Sequence, residues 1–252
     1  MAGHSKWANI RHRKERQDSK RSKVWSKCSK AIMAAARAGG PDPDTNLSLR
    51  YAIDEAKYAN MPKDTINRAV DKGAGAGQGD AFEAITYEGY GPGGTAIIID
   101  TLTDNKNRTV TEIRTLFKKG GGSLGNAGSV AYMFQTKGQI LIDASKVNEE
   151  QIMDLAIEAG ADDVQNPEPD GDDAGFWTVL TAATDFQQVK VAIEVAGIEI
   201  TEAQIAKIPD DTVAVAGDEA RKVFNLIEGI EDNDDVQSVY TNADIDPSAL
   251  GD

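Results

Sequence analysis

Residues 138–208 read GQILIDASKVNEEQIMDLAIEAGADDVQNPEPDGDDAGFWTVLTAATDFQQVKVAIEVAGIEITEAQIAKI. The short apolar run Ile140-Leu141-Ile142 is a first strand, and Glu149 to Ala159 a first helix. Asp163 to Gln165 and Phe176 to Thr181 pair next, around the acidic turn Asp170-Gly171-Asp172-Asp173. Phe186 to Ala196 is a second helix and Ile198 to Ile205 the last strand. The order β-α-β-β-α-β is that of a ferredoxin-like split βαβ sandwich, able to close on itself.

The flanks of this module are incomplete by comparison. Upstream, Ile85 to Gly89 and Thr95 to Leu102 alternate like strands about the turn Gly91-Pro92-Gly93-Gly94. A helix follows, with Thr109 and Glu112 spaced as a capping box, and ends at Lys118-Lys119 and three glycines. Ser129 to Phe134 reads as another strand. Downstream, Thr212 to Val215, Asp218 to Ile230 and Val236 to Tyr240 read as strand, helix and strand. The economical solution joins 80–137 and 209–245 into one discontinuous α+β domain, with the acidic 138–208 module inserted into it.

Before the stretch Gly73-Ala74-Gly75-Ala76-Gly77-Gln78-Gly79, of which 74–79 reads as a flexible linker, residues 1–73 spell a small helical domain. From Ser19, Val24, Cys28, Ala31, Ile32 and Ala35 share one helix face, and Lys20, Lys23, Lys27 and Lys30 form a separate cationic stripe. Asn46 caps a second helix bearing Leu49, Ile53 and Ala56. Pro62 opens a third with Ile66, Ala69 and Val70 inward and Gly73 just past its end. The predicted architecture is therefore an α+β multidomain chain: three helices, then two α/β domains, the last inserted into the second.

Charge follows the same division. The chain of 252 residues carries a formal net charge of −14, yet its first thirty residues hold ten Lys or Arg against Glu15 and Asp18. Residues 1–72 have 16 basic and 8 acidic groups, 73–137 have 6 of each, and 138–252 have 5 against 27. A basic head on an acidic body points to a nucleic-acid-facing end. The candidate contacts are Lys6, Trp7, Arg11, His12, Arg13, Lys14, Arg16, Lys20, Arg21, Lys23, Lys27 and Lys30. Such a cluster gains by releasing counterions from phosphate, and an indole stacks on unpaired bases. Residues 1 to about 18 have no apolar period and are expected to be extended or loosely helical when free. A second contact is expected around a helix N-terminus and its basic neighbours: Asn105, Lys106, Asn107, Arg108, Arg114, Lys118 and Lys119. The acidic 138–252 is a poor surface for nucleic acid and a better one for protein, the ribosome included.

Other chemistries find little support. Gly89-Tyr90-Gly91-Pro92-Gly93-Gly94 matches G-x-G-x-x-G, but a strand follows where the dinucleotide fingerprint needs a helix. Two histidines in a basic tail and one distant cysteine do not make a zinc tetrad, and the acidic turn lacks a bidentate Glu at loop position twelve. Cys28 faces a helical core and no carboxylate is placed to orient a histidine. No catalytic residue, metal or cofactor is expected. A single cysteine fits a reducing compartment, no apolar run approaches the ~20 residues of a membrane span, and the first residues lack a signal peptide's apolar run. A cytoplasmic monomer with no membrane association is the expectation.

Several stretches are recognisable together. Met1-Ala2-Gly3-His4-Ser5-Lys6-Trp7-Ala8-Asn9-Ile10, His12-Arg13-Lys14 and Asp18-Ser19-Lys20-Arg21 closely resemble the opening of the YebC family. So do Ala59-Asn60-Met61-Pro62-Lys63-Asp64, Ile85 to Gly94, Thr103 to Thr109 and Ser129 to Phe134. The resemblance implies a three-domain protein whose third domain is inserted into the second. It also implies a non-enzymatic regulator of gene expression, since members are described as cytoplasmic DNA-binding transcriptional regulators. The family also includes a mitochondrial translational activator of cytochrome oxidase, and bacterial members are linked to ribosomes stalled on proline-rich sequences. The departures lie in the first helix, at Trp25, Cys28, Ser29, Lys30 and Ala31. Three readings stay open: a DNA-binding transcriptional regulator, a ribosome-associated factor that binds ribosomal or transfer RNA, and an acidic protein-interaction module.

Overall fold

The structure, a computed structural model, describes residues 21–75, 82–167, 169 and 174–245. The first unit is built from α1 (Arg21–Gly39), α2 (Leu47–Tyr58) and α3 (Lys63–Ala74). Cys28, Ile32 and Ala36 of α1 meet Leu49, Ala52, Ala56, Ile66 and Ala69 in one core. Asn46 accepts from the Leu49 N–H as N-cap and also donates to the Ala35 and Gly40 carbonyls, so one side chain fixes the α1–α2 turn. Trp25 is a packing residue, donating its indole N–H to the Ala59 carbonyl at 3.0 Å. Gly73 lies inside the last turn of α3 rather than beyond it. Its bare Cα lets α3 press on α1, where a Cβ would stand 2.5 Å from the Met33 carbonyl oxygen.

The central sheet is formed by β1 (Glu83–Tyr90), β2 (Ala96–Thr103), β3 (Ser123–Leu124) and, from the far end of the chain, β9 (Val236–Thr241), in the order β3-β1-β2-β9. β2 pairs antiparallel with β1 on one side and with β9 on the other. Helices α4 (Lys106–Lys119) and α7 (Gly217–Glu231) cover one face, where Ile97 and Ile99 pack with Ile113, Phe117, Val223 and Ile227. Ala96 and Ile98 point to the other face and meet Leu180, Ala206 and Ile208 of the inserted module. Burial on both faces is why β2 reads as an unbroken apolar run. The short strands β8 (Val213–Val215) and β10 (Ala243–Ile245) pair in parallel beside it.

The inserted module comprises β4 (Phe134–Asp143), α5 (Glu149–Ala159), β5 (Asp163–Gln165), β6 (Phe176–Ala182), α6 (Phe186–Val195) and β7 (Glu202–Pro209). Its sheet runs β5-β6-β4-β7 with every neighbour antiparallel, the split βαβ arrangement. Both helices cover one face, with Ile140, Ile142 and Val179 against Ile152, Ala156, Phe186, Val189 and Ile193. Two boundaries differ from expectation. Ser129 to Phe134 is not a strand: Ala131–Met133 is a 3-10 turn and β4 starts at Phe134. The last strand begins at Glu202, not Ile198, because Ile198 and Ile200 are buried in the connection that brings the chain back from α6, and buried alternation there imitates a strand. The acidic residues Asp170, Asp172 and Asp173 and the linker residues 76–79 lie outside the described residues.

The helical unit sits against both domains. Tyr51 of α2 meets Phe186 of α6 edge to face, with ring centroids 5.3 Å apart. The ammonium of Lys190, whose side chain is only 6% exposed, pairs with Asp54 of α2 at 2.8 Å and with Glu194 at 3.1 Å.

Candidate nucleic-acid interface

Of the sequence-read basic head, Lys6, Trp7, Arg11, His12, Arg13, Lys14, Arg16 and Lys20 lie outside the described residues. The chain is described from Arg21, the first residue of α1. The cationic stripe that continues down α1 does not face solvent as a set. Lys23 pairs with Asp232 at 2.9 Å, Lys27 donates to the Glu231 carbonyl at 2.5 Å, and Lys30 pairs with Asp235 at 3.0 Å while also donating to the Asp234 carbonyl. These acceptors are the C-terminal end of α7 and the loop after it, where unsatisfied carbonyls and the helix dipole attract cations. Burial pushes the Lys27 ammonium below its ordinary pKa, against the opposing pull of Glu231, Asp232 and Asp234. In this arrangement Lys27 and Lys30 are partly buried against the body, and Lys23 remains about half exposed.

Asp235 is the hub of this contact, and nothing in the run Glu231-Asp232-Asn233-Asp234-Asp235 marks it out in advance. Its side chain is 4% exposed, and its carboxylate accepts from Arg108 at 2.7 Å, Thr109 at 2.8 Å, Lys30 at 3.0 Å and Thr103 at 3.1 Å. Burial alone would raise its pKa; the hydrogen bonds from Arg108, Thr109 and Lys30 instead hold it at about 2. Arg108 is correspondingly held above its ordinary pKa by Asp235 and then Asp104. Thr109 is not the cap of α4. Asn105 is, accepting from the Arg108 N–H at 3.1 Å, while Thr109 turns inward to Thr103 and Asp235.

The rest of the second contact stays on the surface. Lys106, Asn107, Arg114, Lys118 and Lys119 are exposed, and among the described residues none of the four cations is ion-paired. Opposite the buried Thr109, Ile113 and Phe117, the positions Asn107, Thr111, Arg114 and Lys118 follow one another along a single face of α4. The 232–235 segment is shared by α1 and α4. Along α1, Lys23 meets Asp232 and Lys30 meets Asp235; along α4, Glu112 meets Asn233 and Arg108 meets Asp235.

A second buried acid was also not singled out in sequence. Glu88 of β1 accepts from the backbone N–H groups of Gly128, Val130 and Ala131 at 2.7, 2.8 and 2.7 Å. Burial works to raise its pKa, but these three donors hold it below the ordinary value. It braces the loop that leads into β4. Among the described residues there is no group of three His, Cys, Asp or Glu side chains arranged for a metal, and no helix is long and apolar enough to cross a membrane.

Comparison with known proteins agrees with this architecture. A family model described as the TACO1/YebC protein N-terminal domain matches residues 5–76, and one described as the TACO1/YebC second and third domain matches residues 82–243. The chain is similar to a probable transcriptional regulatory protein of Desulfatibacillum aliphaticivorans, 50% identical over 251 residues that cover 100% of this chain and 99% of that protein. It is similarly close to one of Natranaerobius thermophilus, 49% identical with 99% of each covered. Among solved structures, a conserved hypothetical protein of Aquifex aeolicus superposes with a TM-score of 0.83 at 42% identity, over 93% of this chain and 95% of that one. The Desulfatibacillum and Natranaerobius relatives carry the names of regulators, not of enzymes.

Proposed function

The chain belongs to the TACO1/YebC family of gene-expression regulators, and on that footing we propose that it acts by holding nucleic acid between its basic head and the exposed flank of α4. One observation carries the reading: Arg114 and Lys118 stand exposed on one face of α4 without an ion pair among the described residues, whereas the lysine stripe of α1 is held by the body. Phosphates bind the head and α4 flank by counterion release, and the acidic inserted domain keeps the duplex or folded strand to that side by repulsion.

The names of the relatives favour DNA. A specific observation favours RNA: with its stripe on the 231–235 segment, α1 is not a free helix to lay that face in a major groove. An arm carrying Lys, Arg and Trp7 suits unpaired, folded RNA. Crosslinking in cells followed by sequencing decides between them, since discrete promoter DNA sinks the RNA reading and enrichment of ribosomal or transfer RNA sinks the operator reading. For the shared claim, removing residues 1–18 is expected to weaken binding by orders of magnitude. The salt dependence should flatten by roughly 0.7–0.9 in log–log slope per lost phosphate contact. The pair Arg114→Glu and Lys118→Glu is expected to weaken binding about tenfold without lowering the melting temperature. An unchanged salt slope on removal of the head would defeat the proposal.

A further inference from the structure

The inserted domain has three kinds of surface, and two are already covered. The sheet face bearing Leu180, Ala206 and Ile208 rests on the central sheet, and the flank of α6 bearing Phe186 and Lys190 rests on α2. The outward face of α5 and α6 remains. Here Ile157, Val191 and Val195 are 61%, 42% and 82% exposed. Val191 and Val195 lie one turn apart on the side of α6 opposite its buried Phe186, Val189 and Ile193. Elsewhere among the described residues, the only large hydrophobics this exposed are Leu47 and Tyr132. Single exposed apolar side chains need no explanation, but Val191 and Val195 are neighbours one turn apart, and Ile157 stands exposed on the other helix of the same layer.

The patch is set in negative charge. Glu150, Asp154 and Glu158 stand exposed on α5, and among the described residues none is ion-paired. The domain's own cations do not offset them: Lys137 is paired with Asp162, Lys146 with Glu199 and Lys207 with Asp100, and Lys190 is buried. Phosphate is repelled from such a surface, and a second copy would bring acid against acid. We propose that this face docks a basic, amphipathic segment of a partner protein, whose apolar side covers Ile157, Val191 and Val195 while its Lys or Arg side meets the three acids. Binding of this kind joins shape-tolerant apolar contact to charge complementarity.

The test uses the full chain and a synthetic helix of about 18 residues, long enough to be helical on binding, with leucines on one face and lysines on the other. The expected result is saturable binding, with methyl resonance shifts centred on Ile157, Val191 and Val195. The double substitution Val191→Ser and Val195→Ser should weaken it about tenfold or more while melting temperature and nucleic-acid affinity stay unchanged. Equal binding by a peptide whose leucines are replaced by serine overturns the proposal, as do shifts centred elsewhere or a double variant that binds like the parent. A concentration-dependent dimer dissolved by the same variant also overturns it, by making the occupant a second copy. Tighter peptide binding after removal of residues 1–20 overturns it too, by making the occupant the chain's own head.

Discussion

At the scale of single residues, Asp235 joins two domains through one carboxylate. Lys30 reaches it from α1, Arg108 and Thr109 from α4, and Thr103 from β2. Its folded pKa of about 2 lies below the ordinary value of 3.8. A depressed carboxylate pKa gives stability that is fully present above the unfolded value and is lost as pH falls through the folded one. The size is on the order of 2 kcal/mol, taking 1.36 kcal/mol per pKa unit. Denaturant titrations are expected to show stability falling between about pH 4 and pH 2, and Asp235→Asn is expected to remove that part of the pH dependence. A variant whose acid limb matched the parent would show that this carboxylate is not the titrating latch. None of this was legible beforehand, because five neighbouring polar residues of similar type differ only in which one turns inward. Asn105 and Thr109 teach the same lesson: both are good caps by type, and burial of Thr109 against Thr103 leaves the cap to Asn105.

At the scale of elements, α1 was correctly legible as a two-sided helix, apolar on one side and cationic on the other. What the cationic side meets was not. A free stripe and a docked stripe have the same sequence, and only the arrival of α7 from about 200 residues away distinguishes them. The expected consequence is specific. Neutralising Lys23, Lys27 and Lys30 together to Gln should speed hydrogen exchange in the 231–235 segment and lower stability by about 1–3 kcal/mol, the range for charged hydrogen bonds lost at partly buried sites. The salt slope of nucleic-acid binding should stay near the parent's, in contrast to removal of the head. A slope that fell by three contacts' worth would return these lysines to the binding face. The strands show the complementary case. β1, β2, β6 and β9 were legible because alternation or a continuous apolar run reports burial directly, while Ser129 to Phe134 and Ile198 to Ile200 deceived because buried loops carry the same signal.

At the scale of the whole molecule, the helical unit is clamped at two places of different chemistry. One is the lysine stripe, and the other is Lys190, buried between α6 and α2 with Asp54 and Glu194. Burial works to lower the Lys190 pKa, but Asp54 and its neighbours outweigh that and raise it, so the ammonium stays charged in the interface. Removing one partner of a buried pair strands the other. Lys190→Ala is expected to cost about 3 kcal/mol and to loosen α2 in hydrogen exchange, with Lys190→Met, which keeps the volume, costing less. Equal exchange in α2 for parent and both variants would mean the domains are held elsewhere.

Short-range chemistry is written in the order of residues. The three helices, the βαββαβ order of the inserted domain, the two fragments that complete each other, and the separation of a basic head from an acidic body all follow from periodicity, caps, turns and charge. These depend on neighbours a few positions apart. The pairings between distant segments were decided only in three dimensions: β9 beside β2, Asp235 beneath Arg108 and Lys30, the stripe of α1 on the end of α7, and the valines of α6 left facing outward. Each depends on which surfaces meet once the elements pack. A lysine or a valine in sequence carries no mark of the partner, or of the solvent, that packing assigns to it.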